Sequence, residues 1–125
     1  MLRSYLMLAA FFGFTGVGLG AFAAHGLKGH LSAEYLAIFQ TGVLYQLIHA
    51  LALFGVALLA AQIPGRLVSY AGIAFTLGIV LFSGSLYLLT LTNVGKLGII
   101  TPFGGLCFLV GWAFLGITAW RLGGV

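Results

Sequence analysis

TGVLYQLIHALALFGVALLAA, residues 41–61, decides the fold. No charged residue interrupts it. Together with residues 33–40 it reads as one helix of about 43 Å at about 1.5 Å per residue, against a hydrocarbon core of about 30 Å. So long and apolar a helix is a membrane span. Its first turns are expected to project into the interface, or to lie along it before a bend at Gly42. One polar spot sits well inside it, made by Tyr45, Gln46 and His49. Thr41, Tyr45 and His49 recur at four-residue spacing and share a face, flanked by Gly42 and Gln46.

The rest of the chain has the same character. Of its 125 residues, 62% are hydrophobic and 5% charged, and the mean hydropathy is +1.23. A soluble domain carries about 25% charged residues, so this chain lacks the polar shell that a water-soluble fold needs. Working outward from the second helix, the sequence predicts an all-α four-helix transmembrane bundle over 1–125, with helices at about 3–24, 33–61, 67–91 and 102–120. The first imitates a signal peptide, because Arg3 precedes an apolar run and Ala21-Phe22-Ala23 resembles a cleavage site. The run from Tyr5 to Ala24 is too long for a signal core and fits a retained span. Gly16 and Gly20 form a small-xxx-small pair, preceded by Gly13 and extended by Ala24, that lets another helix come close.

Connectors carry the punctuation. In His25-Gly26-Leu27-Lys28-Gly29-His30-Leu31, Gly26 or Gly29 can end the first helix in a left-handed conformation. Ser32 is placed to cap the second helix, with Glu34 in its first turn. Pro64-Gly65 marks a tight turn. The third helix holds Ser69, Gly72 and Thr76 in its first half and Ser83-Gly84-Ser85 in its second. Asn93 to Gly98 form the next loop, and Thr101-Pro102 reads as a cap followed by proline at the first helical position. Gly104, Gly105, Gly111 and Gly116 give the fourth helix small surfaces, and Trp120 with Arg121 suits an interfacial anchor.

The net charge is +4, but Arg3, Lys28, Arg66, Lys96 and Arg121 are scattered, which speaks for membrane-edge anchoring and against nucleic acid as a partner. Four spans put both termini and the Pro64 turn on one side, with Arg3, Arg66 and Arg121. Lys28 and Lys96 lie on the other. Under the positive-inside rule the termini are cytoplasmic. Cys107, the only cysteine, reads as a packing residue.

Topology then gives the polar spot its neighbours. Tyr45 and His49 lie about 7 and 13 Å below the surface shared by the first and third loops. Ser83, Ser85 and Tyr87 approach that surface on the third helix, Thr101 starts the fourth there, and His25 sits at its mouth. The candidate polar pocket is therefore His25, Tyr45, Gln46, His49, Ser83, Ser85, Tyr87 and Thr101. The candidate helix-packing positions are Gly13, Gly16, Gly20, Gly84, Gly104 and Gly105. The terminal half offers only Ser69, Thr76 and Thr118, which can bond their own helix carbonyls.

Several stretches resemble one known family. Gly20-Ala21-Phe22-Ala23-Ala24-His25-Gly26-Leu27, Phe39 with Tyr45-Gln46 and His49-Ala50-Leu51, Leu81-Phe82-Ser83-Gly84-Ser85-Leu86-Tyr87, and Thr101-Pro102-Phe103-Gly104-Gly105 with Gly111-Trp112 resemble, in order, the signatures of domain-of-unknown-function family 423, the UPF0382 membrane proteins. Ala23 departs from a common glycine, which touches helix packing alone. The resemblance implies a four-helix bacterial inner-membrane protein and carries over no catalytic residue.

Two roles are open for His49. An intramembrane imidazole is costly and faces protein or water. It serves either as a proton-relay or ligand-contacting group, or as a neutral side chain bonded to a neighbouring helix through Ser83, Ser85 or Tyr87. His25, His30 and His49 have no metal-site spacing, and no cofactor pattern is present. A proton-coupled antiporter needs an embedded acid, and Glu34, the only acid, lies near a loop. An intramembrane protease needs a placed nucleophile and base or paired aspartates. The expectation is a non-enzymatic binding or accessory protein whose partners are membrane lipids, an amphiphile, another membrane protein or itself. The alternative is an oligomeric minimal transporter or channel with His49 on its path.

Overall fold

The computed structural model describes residues 1–123. The last two residues of the expected domain lie outside them. The elements are α1 (Leu2–His25), α2 (Ala33–Gln62), α3 (Leu67–Gly78), a π-helical turn (Ile79–Ser83), α4 (Gly84–Thr92), a short 3-10 turn (Gly95–Ile99) and α5 (Thr101–Leu122). α3, the π turn and α4 form one continuous span, Leu67–Thr92, so four helices are long and apolar enough to cross a membrane.

Local sequence explains most of the boundaries. The Ser32 side chain accepts a hydrogen bond from the Tyr35 N–H at 3.1 Å and caps α2, and Glu34 follows in the first turn. Gly29 and Gly65 take positive φ in the first two connectors, a conformation that costs glycine least. Asn93, at φ 60°, ends α4. One expectation is narrowed and another corrected. α2 runs unbroken through Gly42, so of the two expected arrangements the bend is absent and the straight, projecting helix remains. Thr101 does not cap α5. It is already helical, Ile100 holds the capping position, and the Thr101 hydroxyl is engaged elsewhere.

The four spans pack in series: α1 on α2, α2 on the third span, and the third span on α5. α2 and the third span are thus the inner pair, while α1 and α5 are outer and present much of their surface to lipid. One apolar core joins Phe12, Leu53, Val56, Phe75 and Phe108, and a smaller one joins Ala23, Leu27, Phe39 and Val43. Lipid tails are as apolar as leucine, so burying these side chains gains little over leaving them in the bilayer. Close packing and hydrogen bonds between spans must hold the bundle instead.

Glycines make the packing close. A Cβ on Gly16 would stand 2.7 Å from a Leu47 methyl, and one on Gly20 3.2 Å from Val43. Gly104 lies against the backbone of Phe82, so even one methyl there would collide with main chain. Four glycines outside the expected set do the same work, Gly42 against the Tyr87 ring among them. Gly72 receives the Tyr5 ring, Gly78 the Phe108 ring and Gly111 the Phe75 ring. Of the remaining expected positions, Gly105 makes only ordinary contact, 3.9 Å to Phe82. Gly13 and Gly84 have open space where a side chain would go, so neither is a close-approach point within this chain.

Candidate functional site

Gln46 is the hub of the polar cluster. It is buried on α2, where its Nε2 donates to the Phe12 carbonyl at 2.9 Å and to the Thr15 hydroxyl at 2.8 Å, both on α1. Its Oε1 accepts from the Tyr87 hydroxyl of α4 at 2.7 Å. The Thr15 hydroxyl in turn donates to the Phe11 carbonyl at 2.8 Å. The donors run one way, from Tyr87 through Gln46 and Thr15 to a backbone oxygen that can only accept. This direction fixes the Gln46 amide, and both its N–H groups are used. One side chain thereby ties three spans.

His49 lies one helical turn further along α2, also buried. The Trp112 indole N–H of α5 points at His49 Nε2, 3.1 Å away. An indole nitrogen only donates, so Nε2 accepts. The proton then sits on Nδ1, which lies 2.8 Å from the Tyr45 carbonyl. The ring is a neutral Nδ1–H tautomer with both nitrogens occupied. It stacks on Phe108, centroids 3.6 Å apart and 8° from parallel, with Phe75 at 5.4 Å on another side. The expected partners Ser83, Ser85 and Tyr87 do not reach His49, because each faces a different neighbour.

Those neighbours are set by the π turn. Such a turn takes an extra residue into the helix and rotates the residues beyond it. Ser83 ends fully buried and donates to the Gly42 carbonyl of α2 at 2.6 Å. Ser85 donates to the Phe82 carbonyl at 2.8 Å, which leaves Ser85 to accept from the Thr101 hydroxyl at 2.5 Å. The close approach that Ser83-Gly84-Ser85 promised occurs on the serines and on Gly104, not on Gly84.

Tyr45 sits at the edge of the cluster, 38% exposed, with its ring on Phe82 at 4.7 Å. His25 is exposed at the end of α1 and stands apart from the others. Ser85 and Tyr87 border a lipid-facing hollow of about 470 Å³ that is otherwise apolar, next to Leu97 and Ile100. The eight candidate residues therefore do not surround one void. Gln46 bonds to Tyr87, Ser85 to Thr101 and His49 to the Tyr45 carbonyl, Ser83 bonds to Gly42, and His25 joins none of them. Among the described residues, no buried side-chain polar atom lacks a partner.

Sequence reading overlooked four contributors. Thr15 and Trp112 look like ordinary span residues, and nothing in their spacing marks them. Tyr5 sits near the N-terminus of α1, and its hydroxyl donates to the Ser69 carbonyl at 2.7 Å and lies 3.1 Å from the Ser69 hydroxyl. The terminal half thus has one inter-span bond of its own. Its Thr76 and Thr118 bond the Gly72 and Phe114 carbonyls of their own helices, as expected. The fourth contributor, the Phe108 ring, gave no polar signal at all.

The bond set can be set beside related chains. Residues 19–105 match the family described as "Protein of unknown function (DUF423)". The chain belongs to that family. The UPF0382 membrane protein YwdK of Bacillus subtilis is 45% identical over 94% of this chain and 97% of its own. A UPF0382 membrane protein of Staphylococcus epidermidis is 41% identical over 98% of this chain and all of its own. The UPF0382 inner membrane protein YgdD of Escherichia coli is 41% identical over 96% and 92%. No solved structure matches. With four spanning helices and this family, the chain is a multi-pass membrane protein. The residues through which the sequence resembled the family include Gln46, His49, Ser83, Ser85, Tyr87, Thr101, Gly104 and Trp112, and each of these takes part in a contact between spans.

Proposed function

We propose that the chain is a non-catalytic inner-membrane protein with a binding or accessory role. Its polar side chains are spent on holding the spans together, and its contacts are made through apolar surface. One observation carries this reading. Every hydrogen-bonding atom of Gln46 that can donate, and both ring nitrogens of His49, are engaged inside the bundle. A relay group needs a nitrogen free to exchange its proton, and a ligand contact needs a donor left over. Protonating Nε2 would set it against the Trp112 N–H, donor facing donor.

The contact surface that fits this role is the groove between α1 and α2. It encloses about 580 Å³ and is lined by Leu6, Ala10, Gly13, Leu47, Leu51 and Phe54 among others. It lies within the spans and offers carbon to its occupant, which suits the apolar chain of a lipid or amphiphile. The positive-inside rule favours termini in the cytoplasm, with three arginines on that side against two lysines on the other. A C-terminal reporter active only in the cytoplasm tests that orientation.

Proteoliposome flux tests the role. The parent protein is expected to carry no pH-driven flux above empty vesicles. Flux that His49→Ala abolishes, in a variant that still folds, would establish the transporter alternative and overturn this reading. For the groove, a photoreactive acyl-chain lipid is expected to label α1 and α2, and Gly13→Phe to remove most of that label. Equal labelling of α5 and α1, unchanged by Gly13→Phe, would mean that the groove selects nothing.

A further inference from the structure

At the terminal end of the bundle, Arg66 and Arg121 line one cavity of about 270 Å³. Arg66 stands at the start of α3, just after the Pro64-Gly65 turn, and Arg121 lies in the last turn of α5. The folded hairpin of α3 and α5 is what brings them together, across more than fifty residues of sequence. Ile63, Leu67 and Leu122 complete much of the lining and are apolar. The Thr118 hydroxyl at the same cavity donates inward to Phe114.

Charge sets what this cavity can hold. The chain has one acidic residue, Glu34. It begins α2 at the opposite membrane surface, about 43 Å of helix away at about 1.5 Å per residue. No acidic side chain therefore stands near either arginine, and the two arginines share a concave site at the end of the bundle. Guanidinium groups present planar pairs of N–H donors that match phosphate oxygens, and basic pockets between helices at this depth suit lipid headgroups. The volume equals that of about nine waters at about 30 Å³ each, enough for a phosphodiester group.

We propose that Arg66 and Arg121 form a binding site for a phosphate group, supplied by the headgroup of an anionic phospholipid. The lining has two parts that match such a molecule. The arginines face the phosphate, and Ile63, Leu67 and Leu122 face the glycerol and upper acyl carbons. A free inorganic phosphate would use the first part only. The site lies at the opposite end of the bundle from the Gln46 and His49 cluster and does not depend on the groove between α1 and α2.

Native mass spectrometry of the whole protein, released from detergent after titration with phosphatidylglycerol, phosphatidylcholine or inorganic phosphate, tests this. One phosphatidylglycerol is expected to be retained at about tenfold lower concentration than phosphatidylcholine. Arg66→Gln and Arg121→Gln should each weaken its retention about tenfold, and Arg66→Lys should fall between. Arg3→Gln removes an equal charge from the same membrane side outside the cavity and should leave retention unchanged. Melting in lipid-free detergent confirms that each variant folds. Equal retention of the two lipids would overturn the proposal, as would equal weakening by Arg3→Gln, which reports diffuse surface charge. Retention of inorganic phosphate but not of phosphatidylglycerol would overturn the lipid as its source. A large loss of lipid-free melting temperature in both glutamine variants would assign the arginines to a partner within the chain, the terminal carboxylate included, and overturn it as well.

Discussion

The two halves of this bundle are built from the same four helices and held in different ways. In the half away from the termini, Gln46, Ser83, Ser85, Tyr87, Thr101, His49 and Trp112 supply hydrogen bonds that join α2 to α1, to the third span and to α5, and the third span to α5. In the terminal half, Tyr5 with Ser69 is the side-chain bond between spans, and packing of Val56, Val68 and Phe75 does the rest. The difference follows from what each half must do in lipid. Apolar burial is almost neutral there, so a helix pair gains its specific register from small residues and from bonds that would otherwise be unpaired in hydrocarbon. Concentrating those bonds in one half fixes how the spans sit, and leaves the other end free to present Arg66 and Arg121 at the water boundary.

The largest effect is expected where the tied half is closest. Gly104→Ala places a methyl against the Phe82 main chain, which cannot rotate away, and should cost about 3 kcal/mol or more. Unfolding by steric trapping in bicelles measures it. Gly13→Ala, in open space in the groove between α1 and α2, should stay within about 0.5 kcal/mol. Equal costs would mean that glycine content, not the approach of α5 to the π turn, matters.

Gln46→Leu comes next. It removes three bonds worth about 0.6 kcal/mol each in membrane proteins, so a loss of about 2 kcal/mol is expected by the same assay. His49→Ala should cost less in stability, about 1 kcal/mol for its bond to Trp112 and its stacking on Phe108. In a Trp120→Phe background the same change should alter the fluorescence of Trp112, because the indole loses its acceptor. An unchanged spectrum would place Trp112 away from His49. Smallest of the set, Tyr5→Phe removes the side-chain tie between spans that the described residues give the terminal half and should cost about 0.6 kcal/mol. A larger cost than that of Gln46→Leu would reverse the comparison between the halves.

Much of this was legible in the sequence. Charge scarcity and span length marked four helices, and Tyr45, Gln46 and His49 stood out because polar groups deep in a span need partners. The choice of partner was not legible. His49 meets Trp112 of α5, while Ser83 in the π turn at Ile79–Ser83 reaches Gly42 and Ser85 just beyond it reaches Thr101. A π turn leaves no residue pattern, and without it an α-helical projection aims those serines elsewhere. The small-xxx-small rule found Gly16 and Gly20, which face α2. It failed at Gly13, which opens onto the groove between α1 and α2, because spacing along one helix does not say where the neighbour comes close. Gly72 and Gly78 were missed for the converse reason, since their contacts are single aromatic rings from distant helices.

The central claim is that intramembrane polar residues here tie spans together and do not line a path. A double-mutant cycle on Gln46 and Tyr87, with Gln46→Leu, Tyr87→Phe and the pair unfolded in bicelles, measures it most directly. The account predicts a favourable coupling of about 0.6 to 1.7 kcal/mol between them. Strictly additive costs would show that the Tyr87 hydroxyl and the Gln46 amide do not hold α4 to α2, and would contradict it.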